Sequence, residues 1–294
     1  MKKVNLIYWD KDNFGDALNP LLIEELSGLP AQHKDIELSL KSRILLLLKS
    51  ILTFRFNDAE RVILPWQKTV VAIGSIIHWA HKKSVIWGAG FMNRDNRYRG
   101  GKVVAVRGKL TDAKLVSQGI KPCGVYGDAA LLLPLWLPGV NIAKKHQLGI
   151  APHWSEVDAF KRNYGEQYVI IDLRTKDIPK IVNEINQCDH ILSTSLHGII
   201  VAHAYQIPAL WIKKGYIETD GFKFHDYFSS VDIPLYDGFE DIDDLLVSSD
   251  KWKSLFEKNT DKSLINNDLY EIQKDLLRVA PFPVRKKYVE FVDR

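Results

Sequence analysis

Along this chain, short continuous apolar runs alternate with segments whose apolar residues return every three or four positions. "VNLIYW" (Val4 to Trp9) is closed by Asp, Asn and Gly, and "ALNPLLIEELSG" then follows with helical spacing. The same order recurs in "TVVAIGSIIHWA", "SVIWGAGF", "KVVAVRGKLTDAKLVSQG" and "VYGDAALLLP". Period-2 alternation is nearly absent, so the strands are buried on both faces and the sheet they form is parallel. A stretch with Pro134, Pro138 and Gly139 predicts a linker, after which "LGIAPHW", "QYVIIDLRT", "DHILSTS" and "IPALWIKKG" supply a second series of strands. The helices "IPKIVNEINQC" and "LHGIIVAHAYQ" separate them, and "SLINNDLYEIQKDLLRVAPFP" predicts a late helix stopped by prolines.

The pattern predicts an α/β protein with two Rossmann-like units facing a central cleft: 1–140, 141–255, and a helical segment, 256–294, that crosses back to the first unit. Its 294 residues are more than one hydrophobic core usually absorbs. Hydrophobic residues at 46% and charged residues at 26% exclude a disordered chain.

Charge and cysteine content narrow the function classes. The net charge of +4 is scattered along the chain, which argues against a nucleic-acid partner. Two cysteines, Cys123 and Cys188, have neither metal-ligand nor CxxC spacing, which points to a reducing, cytoplasmic compartment. The start, "MKKVNLIYWDKDNFGD", has too short an apolar run for an export signal and reads as a first strand. No metal is expected. His78 and His81 have an i, i+3 spacing but no third ligand in view, and read as structural or surface residues. Gly88-Ala89-Gly90 lacks the third glycine of a dinucleotide fingerprint and the lysine of a P-loop.

In parallel α/β sheets, ligands gather at the carboxyl ends of the strands. The polar residues standing there are Asn13, Asp16, Gly74, Ser75, Arg107 and Asp128 in the first series, and His153, Arg174, Ser193, Ser195 and His197 in the second. His197 begins a helix, where free amides and the helix dipole attract an anion and an imidazole can exchange a proton. The same spacing also fits a helix capped by Ser193, Thr194 or Ser195, with His197 a polar residue of its first turn. Arg107 suits a carboxylate or phosphate clamp, or a plain pairing with Asp112. Asp128 is a base, a sugar-hydroxyl ligand, or ordinary turn chemistry. "KSRILLLLKSILTFRF" (41–56) is too short to span a bilayer. It predicts either a helix lying in an anionic membrane interface or a buried helix with snorkelling ends.

Together "NFGDALNP", "VRGKLT", "YGDAALLLP", "IAPHW", "ILSTSLHGIIVAHAYQIPALW" and "FKFHDYF" resemble the polysaccharide pyruvyl transferase family, in the family's order and as far as about Phe228. The resemblance implies a fold like the B-type glycosyltransferases. It also implies transfer of a pyruvyl group from phosphoenolpyruvate, a co-substrate and not a cofactor, to two hydroxyls of a sugar, with release of phosphate. His197 matches the family's histidine and is the expected proton donor. Arg107 matches the family's arginine and is expected to hold the donor, with Ser193, Ser195 and Gly198 around the phosphate. Some relatives carry arginine where this chain has Ser195, and Lys223, His225, Arg174 or His153 are the candidates to replace that cation. Asp128 is assigned to the acceptor's proton, and Asn13, Asp16 and Ser75 to acceptor binding. Acceptors of this kind are often lipid-linked sugars at the inner face of the cytoplasmic membrane, which suits the 41–56 segment. The rivals are a B-type glycosyltransferase using a nucleotide sugar and a non-catalytic carbohydrate-binding protein, since eight tryptophans suit sugar stacking.

Overall fold

The computed structural model of the chain describes residues 2–55, 59–139, 142–215, 217 and 219–293. Two fully parallel sheets organise it. The first has the order β2-β1-β3-β4-β5, from β1 (Val4–Leu6), β2 (Ala31–His33), β3 (Thr69–Val71), β4 (Ser84–Trp87) and β5 (Lys102–Ala105). The second has the order β7-β6-β8-β9, from β6 (His146–Ala151), β7 (Val169–Ile170), β8 (Cys188–Ser193) and β9 (Ala209–Trp211). In register, Val70 lies beside both Leu6 and Val85, and Ile150 beside Leu192. The apolar runs are continuous because both faces of these central strands are covered.

Helices α1 (Phe14–Ser27), α2 (Leu40–Thr53), α3 (Lys109–Val116) and α4 (Leu133–Trp136) belong to the first half of the chain. The second half carries α5 (Val157–Tyr164), α6 (Ile178–Asn186), α7 (Leu196–Ala204) and α8 (Phe222–Ser230). It ends with α9 (Ile242–Leu245), α10 (Ser249–Lys258), α11 (Thr260–Ser263), α12 (Leu269–Arg278) and α13 (Lys286–Val292). One apolar core joins the sheets: Leu18 and Leu22 of α1 share it with Ile181 and Ile185 of α6 and Ile199 and Ile200 of α7.

Two connections tie the halves together. The Trp87 indole donates to the Leu276 carbonyl of α12 at 2.8 Å, and Gln273 to Leu131 at 2.7 Å, so the late helix packs on the first sheet. Helix α8 is shared: Phe222 enters the cluster of Ile7, Val71 and Ile86, while Phe224 stacks on Trp211 with ring centroids 4.0 Å apart.

The "VYGDAALLLP" run departs from the strand expected of it. It makes a single parallel bridge, Val106 to Tyr126, and then a short 3-10 turn at Ala129–Leu132. Gly127, at φ 147°, turns the chain there, and a side chain at that position would strike Ile272 of α12.

Candidate active site

The carboxyl ends of both sheets open on one cleft of about 610 Å³. Eight predicted residues line it: Asn13, Asp16, Gly74, Ser75, His153, Ser195, His197 and Lys223. The walls meet where α1 begins opposite α7. A side-chain carbon on Gly15 would lie 2.1 Å from the His197 Nδ1, so only glycine lets the two helix starts approach this closely. The Phe14 amide donates across the same junction to the Leu173 carbonyl at 2.9 Å.

On the second wall, β8 ends in Ser193 and the chain turns into α7. Ser193 is buried and spends its hydroxyl internally, donating to the Ala151 and Ser195 carbonyls and accepting from the Ser195 amide at 3.0 Å. It builds the turn rather than the cleft surface. Gly198 also stands behind the wall, where a side chain would meet the Ser193 hydroxyl at 2.4 Å. Ser195, the N-cap residue, makes no side-chain cap hydrogen bond. The first amides of α7 therefore receive no capping oxygen from that side chain, an arrangement suited to an anion.

His197 sits in that first turn with its Nε2 shielded from solvent and without a hydrogen-bond partner. Burial, then the charges of Lys223 and Arg107, push its pKa down to about 3, so the imidazole is neutral at pH 7. His153 is likewise pushed down to about 4 by burial and Lys223, and its Nδ1 lies 2.8 Å from the Ser155 hydroxyl. Lys223 is almost fully buried and reaches the cleft from α8.

The first wall has the opposite character. The Asn13 side-chain oxygen accepts from the Gly15 and Asp16 amides at 3.0 and 3.4 Å, so α1 is capped by its own chain. Asp16 accepts from the Trp9 amide at 3.3 Å, and burial pushes its carboxyl up to about 7. Trp9, Trp79 and Trp154 add aromatic faces, with the Trp9 and Trp154 rings 6.1 Å apart across the cleft. His78, read from sequence as structural or surface, lines the cleft beside them, as do Met92, Asn93 and Asn96. These residues follow β3 and β4 at some remove from the strand ends, in loops whose path no periodicity reveals.

Arg107 stands behind the cleft surface. It is fully buried, and its guanidinium donates to Asp226 at 2.9 Å, to the Ser75 hydroxyl at 2.6 Å and to the Phe91 carbonyl at 2.6 Å. Its acid partner is Asp226 of α8, while Asp112 instead accepts from the Cys123 amide and the Tyr126 hydroxyl. Asp226 also accepts from the Thr111 amide and hydroxyl, both at 2.7 Å. This network locks α8 to the first half of the chain three residues from Lys223.

Three further predicted residues also lie away from the lining. Asp128 is fully buried and caps the 3-10 turn through the Ala130 amide at 3.0 Å; burial pushes its pKa up to about 6. Arg174 is held by Asp172 and Asp158 in a surface ion-pair cluster. His225 faces the Tyr236 carbonyl at 3.1 Å and Asp237 at 3.3 Å. Among the described residues, no three His, Cys, Asp or Glu side chains are placed to share a metal ion.

The family model for polysaccharide pyruvyl transferase matches residues 13–213, more than half of the chain and both cleft-bearing helix starts. An uncharacterized protein of Acanthamoeba polyphaga mimivirus is 29% identical over 166 residues, which make up 53% of this chain and 58% of that protein. The aligned region thus spans little more than half the length of that relative. No solved structure matches the chain.

Proposed function

The chain belongs to the polysaccharide pyruvyl transferase family, and we propose that it forms a pyruvate ketal on a sugar of a surface polysaccharide or its lipid-linked precursor. Phosphoenolpyruvate is the donor, phosphate the leaving group, and the cytoplasm the compartment. The proposal includes a B-type glycosyltransferase-like arrangement of the two sheets about the cleft. The observation that carries it is the α7 start, where the Ser195 side chain makes no cap hydrogen bond, the His197 Nε2 has no hydrogen-bond partner, and Lys223 lines the same cleft.

The chemistry distributes over the two walls. The donor's phosphate and carboxylate sit against the α7 amides and Lys223. A proton is delivered to the donor's terminal carbon, positive charge develops at C2, and one sugar hydroxyl adds there as it loses its proton. Phosphate then leaves, the second hydroxyl adds at the same carbon, and its proton departs. Of the two hydroxyl protons, one balances the new methyl group and the other leaves with phosphate. Burial and the neighbouring cations hold His197 neutral; the donor's negative charge would reverse that balance and let it carry the proton. Asp16, titrating near pH 7, is better placed than Asp128 to take the acceptor's proton, because it lies on the cleft surface. The tryptophan faces offer the sugar a stacking surface. Arg107 acts through Asp226 and Ser75 as a positioning residue for α8.

The test needs no knowledge of the acceptor. Millimolar phosphoenolpyruvate should raise the melting temperature by a few degrees, a ligand at about 100 times its Kd contributing roughly 2.7 kcal/mol. Nucleotide sugars should not. A shift with a nucleotide sugar alone would replace this reading with glycosyl transfer.

A further inference from the structure

Helix α2 turns its larger apolar stripe outward. It follows the edge strand β2, where a parallel α/β protein ordinarily lays an apolar helix face against its sheet. Among its residues only Ser50 is buried, and its hydroxyl donates to the Leu46 carbonyl one turn back. Arg43 turns inward to the Leu38 carbonyl at 2.9 Å. Leu46 and Leu47 are half-buried beside them, yet the outward stripe is apolar too. Leu40, Ile44, Leu48 and Ile51 recur at helical spacing with Leu45 and Leu52 beside them, all exposed, with Leu40 at 73% and Leu52 at 80%. Phe54, just past the helix, is 84% exposed. Soluble surfaces rarely leave so continuous an apolar patch unpartnered.

The charges say what covers it. From Leu40 to Arg55 there are four basic residues, Lys41, Arg43, Lys49 and Arg55, and no acid. A protein partner's core-like face would leave those cations without a reason; an anionic lipid surface satisfies both features, since acyl chains take the stripe while the cations meet headgroup phosphates. At 14 residues the helix is about 21 Å long, and no helix among the described residues is long and apolar enough to cross a membrane. We propose that α2 lies in the plane of an anionic phospholipid bilayer, its Leu40, Ile44, Leu48 and Leu52 stripe inserted among the acyl chains and Lys41, Lys49 and Arg55 at the headgroups. The sequence segment 41–56 includes Phe56, which lies outside the described residues. Lipid binding of this kind is independent of the chemistry in the cleft. α2 follows the carboxyl end of β2 after six intervening residues, and β2 runs parallel to β1, whose carboxyl end leads to Asn13 and Asp16; a bilayer under α2 would lie toward that end of the sheet.

Co-sedimentation of the full chain with vesicles tests this. Phosphatidylcholine vesicles containing a third phosphatidylglycerol should bind about tenfold more protein than phosphatidylcholine alone. The triple substitution Ile44→Gln, Leu48→Gln, Leu52→Gln should lower that binding about tenfold. Its melting temperature should not fall, because the replaced side chains are already in solvent. Lys41→Gln with Lys49→Gln should remove the preference for anionic vesicles. No binding to either vesicle, or binding that the triple variant retains, overturns the proposal. So does lipid-free self-association in the ultracentrifuge that the same triple variant abolishes, since a second copy would then be the occupant.

Discussion

Helices α1 and α7 each follow the carboxyl end of a strand in its own sheet, α1 after the loop 7–13 and α7 after only Thr194 and Ser195, and they present different chemistry to the cleft between them. At α1, Asn13 takes the first amides, the Phe14 amide is spent on Leu173, and an acid, Asp16, occupies the first turn. At α7, Ser195 leaves the cap position open, no acid enters the first turn, and His197 and Lys223 surround it. On the proposed reading, the same backbone device is closed to anions on one wall and open to them on the other. The lesson is that a helix start becomes a binding site only where the chain withholds its own cap.

The largest effect expected from breaking this difference is on the α7 side. His197→Gln should lower turnover about 10²- to 10⁴-fold while phosphoenolpyruvate still binds, as expected for a proton carrier. Lys223→Gln should instead weaken donor binding, read by calorimetric titration, because it removes a fixed charge. Equal loss of donor binding in the His197 and Lys223 variants would contradict the division of roles.

Next comes Asp16. Its carboxyl holds a proton up to about pH 7 in the folded chain, against 3.8 as the ordinary value, so between those two limits the folded state binds more protons than the unfolded. Stability from this group is therefore lost as pH rises through that window. Asp16→Asn should leave the melting temperature unchanged at pH 4 and raise it by ~2–5 °C at pH 8, a gain of about 1–2 kcal/mol once partial solvent access is discounted. The wild-type rate should climb with pH through about 7 as the base is freed, and the variant's residual rate, about 10²-fold lower, should be flat. A variant that keeps the rising limb would assign the base elsewhere.

How much of this the sequence carried depended on whether a feature is local. The runs of β6 and β8, the helices α6 and α7, and the histidine at their junction were legible because apolar periodicity and Gly, Pro or Ser punctuation are local signals. Helix α1 was read from Ala17 but begins at Phe14, since its start is set by the Asn13 cap rather than by its apolar stripe. Arg107 was visible at a strand end, but its fate was decided by Asp226, 119 positions away, and no spacing rule connects them. Asp128 shows the same limit: a carboxylate after "VYG" reads equally as a cleft residue or as turn chemistry, and only packing decides for the turn, beneath which it is sealed. For α2, periodicity identified the stripe but could not say which side faced the protein, because an inward and an outward stripe have one and the same sequence pattern.

The smallest effects come from exchanging the caps themselves. Asn13→Ala removes the oxygen that α1 depends on and should cost about 1 kcal/mol, or ~2–4 °C in melting temperature, with Asn13→Asp restoring it. Donor binding should hardly change, since that terminus was never open. Ser195→Asp does the reverse: it gives α7 a carboxylate of its own, which should keep or slightly raise stability while reducing phosphoenolpyruvate affinity at least about tenfold, because the anion's place is filled and a negative charge now stands in it. The pair of substitutions separates capping from binding, as each changes one and spares the other. If Ser195→Asp binds the donor as well as the wild type does, the anion does not sit on the α7 amides, and the contrast between the two helix starts is one of stability alone.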